Sequence, residues 1–205
     1  RVSRGLGDVY KRQVEKGFEY PMLKFAVISE GDIFGAPKKK KRKIQRYEGT
    51  KIRDFGELKV GAVAAVNALG DVFDPDSGRK LAGLLAPDKS AFADSEEALF
   101  ADYSSKQNFF TGNTTLGCVV TNGKFGKAQM AKIAAMAQNG YARAIRPVHT
   151  TADGDSVYAL SVGEVDADVN VVGTLAARVM ARAVARAVLA AAPACGLPAA
   201  RDFMP

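Results

Sequence analysis

Two short segments constrain this chain more than any other feature. Lys59–Asn67 and Thr114–Thr121 are small, apolar and β-branched, with few polar residues to mark a wet face. Such runs suit strands buried on both faces, which places them inside a sheet covered by other layers. Each is followed by turn chemistry. Asp74-Pro75-Asp76-Ser77-Gly78 has proper turn residues, and Asn122-Gly123 predicts a turn that ends the second strand.

Further pieces complete an α/β pattern. Leu23–Ile28 reads as a strand, Val72-Phe73 as a short extended piece, Ala144–Val148 as strand-like and Val157–Val162 as another strand. Residues 86–112 form a long polar connection with a short helical piece near Ser95–Ala101. Lys127–Ala142 has helical periodicity, with Ile133, Met136, Ala137 and Gly140 on one side. Asn170 to Ala192 is an Ala-rich helix whose wet face is marked by Arg178, Arg182 and Arg186. Its Val172, Leu175, Val179 and Val184 lean the other way. Gly196 and Pro198 stop it. Strands and helices in this order give an α/β layer architecture.

At 205 residues and 47% hydrophobic, the chain is long enough for one domain with a real core. The net charge of +7 points to nucleic acid until it is mapped. Residues 1–55 hold 15 Lys/Arg and 7 Asp/Glu, a balance of +8, leaving 14 and 15, or −1, for residues 56–205. The basic character therefore belongs to the N-terminal quarter. Arg1–Gln13 has no period and resembles adaptor read-through, so it is set apart from the fold. Lys38–Lys43 is either a nuclear-localisation or nucleic-acid patch or a solvated loop. It lacks interleaved aromatics for stacking bases. No apolar run approaches the roughly 20 residues that span a bilayer, and no signal peptide is recognisable. A cytoplasmic, non-membrane protein is expected.

The chemistry available is limited. One histidine and two cysteines exclude a zinc site built on them. Cys118 and Cys195 are expected to be reduced, mostly buried thiols. Phosphate-loop, H-E-x-x-H and G-x-S-x-G patterns are absent. Gly112-Asn113-Thr114-Thr115 brings a flexible pair into a buried strand whose first residue carries a hydroxyl. Freed as an N-terminus, Thr114 would bring its own base, since an α-amine titrates near ~7.7–8.0. On spacing alone the same residues suit an ordinary Gly-Asn turn before a strand. Asp153-Gly154-Asp155 can orient an ammonium and a hydroxyl, or be a hairpin turn with Asx hydrogen bonds. Asn67 ends an apolar strand and can donate to an oxyanion, or bond backbone at the strand end. His149 reads as a packed or hydrogen-bonded histidine, or as one that lines a site.

Several stretches together resemble one family. Gly56–Ala62, Ala65–Val72, Asn113–Gly117, Lys127–Gln129, Ala142–Thr150, Asp153–Asp155, Ala167–Gly173 and Gly196–Pro198 are similar, in order and spacing, to the DmpA family. That family includes L-aminopeptidase/D-esterases, β-peptidyl aminopeptidases and nylon-oligomer hydrolases. The resemblance covers about residues 56–202 and implies a four-layer αββα sandwich, incomplete here on its N-terminal side. It implies self-cleavage between Asn113 and Thr114, dividing residues 56–205 into the end of an α chain (56–113) and a β chain (114–205). Thr114 would be the nucleophile, Asn67 part of the oxyanion site, and Asp153 and Asp155 would orient the new amine and the threonine. Substrates would be small peptides or amides with a free amine. No cofactor or metal is implied, and processed αβ units would form a homo-oligomer. The catalytic lysine of relatives is not recognisable. An inactive fragment of such an enzyme and a basic nucleic-acid-binding protein stand as alternatives.

Overall fold

The computed structural model describes residues 25–29, 56–101, 113–194 and 196–204. Arg1–Gln13, Lys38–Lys43, Cys195 and residues 102–112 of the connection before Asn113 lie outside them. The elements are β1 (Phe25–Ser29), β2 (Val60–Asn67), β3 (Asp71–Phe73), β4 (Lys80–Ala82), α1 (Ser95–Ala101), β5 (Thr114–Gly123), α2 (Lys127–Ala144), β6 (Ile145–Arg146), β7 (Ser156–Val165) and α3 (Val169–Leu189), followed by a 3-10 turn at Ala200–Phe203.

The main sheet has the order β1-β2-β5-β7, and a smaller one the order β4-β3-β6. β2 is antiparallel to both neighbours, whereas β5 and β7 run parallel. A parallel pair needs a crossover connection, and α2 provides it. Both long helices cover one face of the main sheet. There Val60, Ala62, Ala64 and Val119 meet Ile133, Tyr141, Val172, Val179, Met180 and Val184 in one buried cluster.

Small residues set the distances in this core. Gly140 of α2 lies so close to α3 that a Cβ would sit 2.5 Å from the Ala177 carbonyl oxygen, and one on Gly173 would strike Met136. α3 packs against β2, with Ala176, Ala181 and Ala183 fully buried. Asp168 caps α3, its carboxylate accepting from the amides of Asn170 and Val171 at 2.8 and 3.0 Å. Arg178 and Arg186 are exposed as expected, while Arg182 is only partly exposed and reaches Asp76 at 3.3 Å.

The α/β class expected from the sequence is the class observed. Of the four expected layers, the described residues supply a helical layer and the main sheet. The outer face of β7 carries exposed Tyr158, Leu160 and Val162. β2 is buried on both faces as predicted, but β5 alternates between buried and half-buried positions. Its buried Thr115, Val119 and Thr121 face the helices, and Leu116 and Val120 face outward.

Asn122-Gly123 does not make a turn. β5 continues through it because the Asn122 side chain is used to hold the neighbouring segment. Its Oδ1 accepts from the Lys59 amide at 2.6 Å, and its Nδ2 donates to the Glu57 carbonyl at 2.8 Å. The Asp74–Gly78 turn forms as read, with Asp74 Oδ1 accepting from the amides of Asp76 and Ser77 at 2.8 and 2.9 Å. Cys118 is a free, half-buried thiol, and burial pushes its pKa up. Among the described residues no helix is long and apolar enough to cross a membrane.

Candidate active site

Thr114 is the first residue of β5, and the chain order brings every candidate residue to this end of the sheet. The antiparallel register pairs Asn67, the last residue of β2, with Thr114. On the other side, Asn113 forms a single parallel bridge with Asp153, just before β7 begins. Residues separated by about forty positions in sequence thus meet at one strand step.

The Asn113 carbonyl oxygen is the focus of the arrangement. It accepts the Thr114 hydroxyl at 2.6 Å and the Gly154 amide at 2.9 Å. Two donors on one carbonyl oxygen polarise it and prepare the adjacent carbon for attack. Gly154 has to be a glycine for this approach, since a Cβ there would lie 2.7 Å from Thr114 Oγ1. Successive strand amides point to opposite edges. The Thr115 amide points to the β7 side, so the Thr114 nitrogen faces β2 and Asn67.

The two aspartates do different things. Asp153 Oδ2 accepts from the Thr150 amide and hydroxyl at 2.9 and 2.8 Å, which closes the Thr150–Asp153 turn. It therefore holds the loop that presents the Gly154 amide. Asp155 is nearly buried, its side chain only 5% exposed. Its Oδ1 accepts the Thr115 amide at 2.8 Å, which ties β7 to the residue after Thr114. Its Oδ2 is buried and accepts no hydrogen bond, yet His149 Nδ1 lies 3.2 Å away, within ion-pair reach but out of line for a hydrogen bond.

Tyr141 of α2 closes the floor. Its hydroxyl donates to the Ser156 carbonyl at 3.1 Å and stands 3.4 Å from that of Thr115, so it bridges β5 and β7. Burial, reinforced by the negative charge of Asp155, pushes the phenol's pKa far up. Gly117 leaves room for this hydroxyl, which a Cβ would crowd.

The structure thus brings together Asn67, Asn113, Thr114, Asp153 and Asp155. It adds the Gly154 amide, which the sequence had not marked out, and places at the same end His149, for which the sequence had left a site-lining role as the second reading. His149 is hydrogen-bonded, as one half of the sequence reading had it, and not packed in the core: its Nε2 lies 3.4 Å from the Gln138 carbonyl oxygen. It has φ +58°, a left-handed conformation that costs an ordinary residue about 1–2 kcal/mol, and it stands half-exposed beside Asp155. Strain of this kind persists where its surroundings enforce it, which is common at functional sites.

A family model described as peptidase family S58 matches residues 49–200. An uncharacterised aminopeptidase of Mycobacterium tuberculosis is 37% identical over 165 residues, covering 71% of this chain and 48% of that protein. A 6-aminohexanoate-oligomer endohydrolase of a Kocuria species is 26% identical over 128 residues, covering 58% of this chain and 34% of that one. A solved L-aminopeptidase D-Ala-esterase/amidase from Ochrobactrum anthropi aligns with a TM-score of 0.48 at 14% identity, over 82% of this chain and 40% of that one. The chain spans about half the length of the mycobacterial relatives it matches. With its matched segment taking in the whole Asn67–Thr114–Asp155 site, the chain belongs to peptidase family S58.

Proposed function

We propose that this chain carries the catalytic centre of a self-cleaving amide hydrolase, cut between Asn113 and Thr114, that acts as an aminopeptidase on small peptides or amides. One observation carries the reading: the Thr114 hydroxyl and the Gly154 amide converge on the carbonyl oxygen of the bond to be broken, at 2.6 and 2.9 Å. The names of the relatives, aminopeptidase and amide-oligomer hydrolase, support the same class of chemistry.

In the first step Thr114 Oγ adds to the Asn113 carbonyl carbon and gives up its proton. The Gly154 N–H stabilises the oxygen as it gains charge. Collapse breaks the C–N bond, protonates the Thr114 nitrogen and leaves Asn113 as an ester on Oγ. Water hydrolyses that ester, giving an Asn113 carboxylate and a free Thr114 amine. In turnover the neutral amine accepts the Oγ proton, Oγ attacks the substrate amide, the amine product leaves, and water releases the acyl group. Asn67, register partner of Thr114, would donate to the substrate oxyanion. Asp155 would hold the strand step through the Thr115 amide, and Asp153 would hold the loop carrying Gly154.

The test is an intact mass of the full chain after incubation at neutral pH, beside Thr114→Ala. A fragment beginning at Thr114, absent in the variant, is expected. An uncut wild-type chain would overturn the proposal that this chain activates itself.

A further inference from the structure

Six residues of α2 are buried, and Tyr141 is the one among them that carries a side-chain hydroxyl. A phenylalanine would fill the same room, and a hydroxyl buried without a partner costs free energy. The phenol oxygen is spent on the sheet beneath it. It donates to the Ser156 carbonyl of β7 at 3.1 Å and stands 3.4 Å from the Thr115 carbonyl of β5. A carbonyl oxygen has two lone pairs, so a phenol can bond one that a strand ladder already uses. Gly117 keeps this place open, because a Cβ there would strike both the Tyr141 hydroxyl and Met180.

The two carbonyls belong to residues that follow the centre on either strand. Thr115 follows Thr114, and Ser156 lies two positions after Gly154. The same step is tied once more within the sheet, by the Thr115 amide on Asp155 Oδ1 at 2.8 Å. The arrangement at the Asn113 carbonyl oxygen draws on both strands. The Thr114 hydroxyl comes from β5, at 2.6 Å, and the Gly154 amide from the residues leading into β7, at 2.9 Å. A slip of one strand against the other would therefore part the two donors. We propose that Tyr141 is a positioning residue of the Thr114 centre: its hydroxyl, reaching in from α2, fixes the first step of the β5–β7 pair and with it the spacing between the Thr114 hydroxyl and the Gly154 amide. Its role in cleavage rests on the self-cleavage proposed above, whereas the clamp across the strands does not.

Tyr141→Phe removes the hydroxyl and keeps the ring. In the uncut Thr114→Ala full chain, amide hydrogen exchange read by NMR tests the clamp without any cleavage. Adding Tyr141→Phe is expected to speed exchange of the Thr115 and Gly154 amides about tenfold or more, while the core amides of α2 and α3 change little. Exchange that is unchanged at those two amides, or faster everywhere by the same factor, overturns the proposal. The second arm times fragment formation in the otherwise wild-type chain, with circular dichroism and the unfolding midpoint measured beside it. Tyr141→Phe is expected to slow the cut about tenfold or more in a chain that stays folded, with the shape of the pH profile kept. An unchanged rate overturns the positioning role. So does a profile of altered shape, which would make the phenol a proton-transfer group, and so does a chain that no longer folds, which would make the hydroxyl purely structural. A wild-type chain that never cleaves, with exchange loosened only at Thr115 and Gly154 in the variant, would sink the self-cleavage reading and the role in it, and leave the clamp standing.

Discussion

Asp71 is the most fully satisfied charge in the described residues. It is buried, yet its carboxylate accepts from Lys80 Nζ, from the amides of Leu84 and Ser95 and from the Ser95 hydroxyl. Burial raises its pKa, but these donors outweigh burial and the net shift is downward. A carboxyl depressed in the folded state stabilises above its unfolded value of about 3.9, and that contribution is lost as pH falls through the lowered value. Asp71→Asn should therefore destabilise by about 3 kcal/mol at neutral pH, leaving Lys80 without its partner, and should flatten the acid side of a stability-versus-pH curve. Urea unfolding at several pH values measures both. Gly154→Ala belongs to the same scale. The added Cβ would displace the Thr114 hydroxyl, and a misplacement of about 1 Å costs on the order of 100-fold in rate. Mass spectrometry of fragment formation over time checks it, with circular dichroism to confirm an unchanged fold. Thr114, Asn67 and the two aspartates were legible as residue types in a familiar order. The Gly154 amide and the reach of His149 to Asp155 were not, because a backbone donor has no sequence signature. Its position depends on the register of β5 against the start of β7, about forty residues later.

Among elements, the long amphipathic ones were the most readable. Ser95–Ala101 was read to the residue, and α2 and α3 were read within three residues at either end, since their apolar stripes and the arginines of α3 state the period directly. β4, at three residues, was missed because Lys80-Leu81-Ala82 is too short to show alternation and is fixed by pairing with β3. Asn122-Gly123 was misread because its composition favours a turn, and the side-chain bonds to Lys59 and Glu57 that override it are long-range. The close pairing of α2 and α3 rests on glycine, so Gly140→Ala should force the helices apart against the Ala177 carbonyl. A loss of about 1–3 kcal/mol is expected in thermal or denaturant unfolding, opposite in sign to the gain that helix propensity alone predicts for this substitution.

At the scale of the whole molecule, the helical face of the sheet is closed and the outer face of β7 is not. Tyr158, Leu160 and Val162 are 63%, 51% and 65% exposed in alternation along one strand. An apolar strip of this kind binds hydrophobic dyes. Leu160→Lys with Val162→Lys should lower dye fluorescence while leaving the unfolding midpoint nearly unchanged, because neither side chain lies in the helical core. The sheet order has another result. β2 and β5 pair over eight register positions from Val60↔Thr121 to Asn67↔Thr114, and α3 packs across β2 and β1. A break between Asn113 and Thr114 would put β1 and β2 in one product and β5 and β7 in the other, paired edge to edge in one sheet, with α3 of the second product packed on the strands of the first. The two pieces would stay together as one particle and separate only in denaturant. Refolding would then become a second-order encounter, slower as the solution is diluted, where the uncut chain folds at a rate independent of concentration. Once cut, such a molecule would hold its native state more by never letting go than by finding it again.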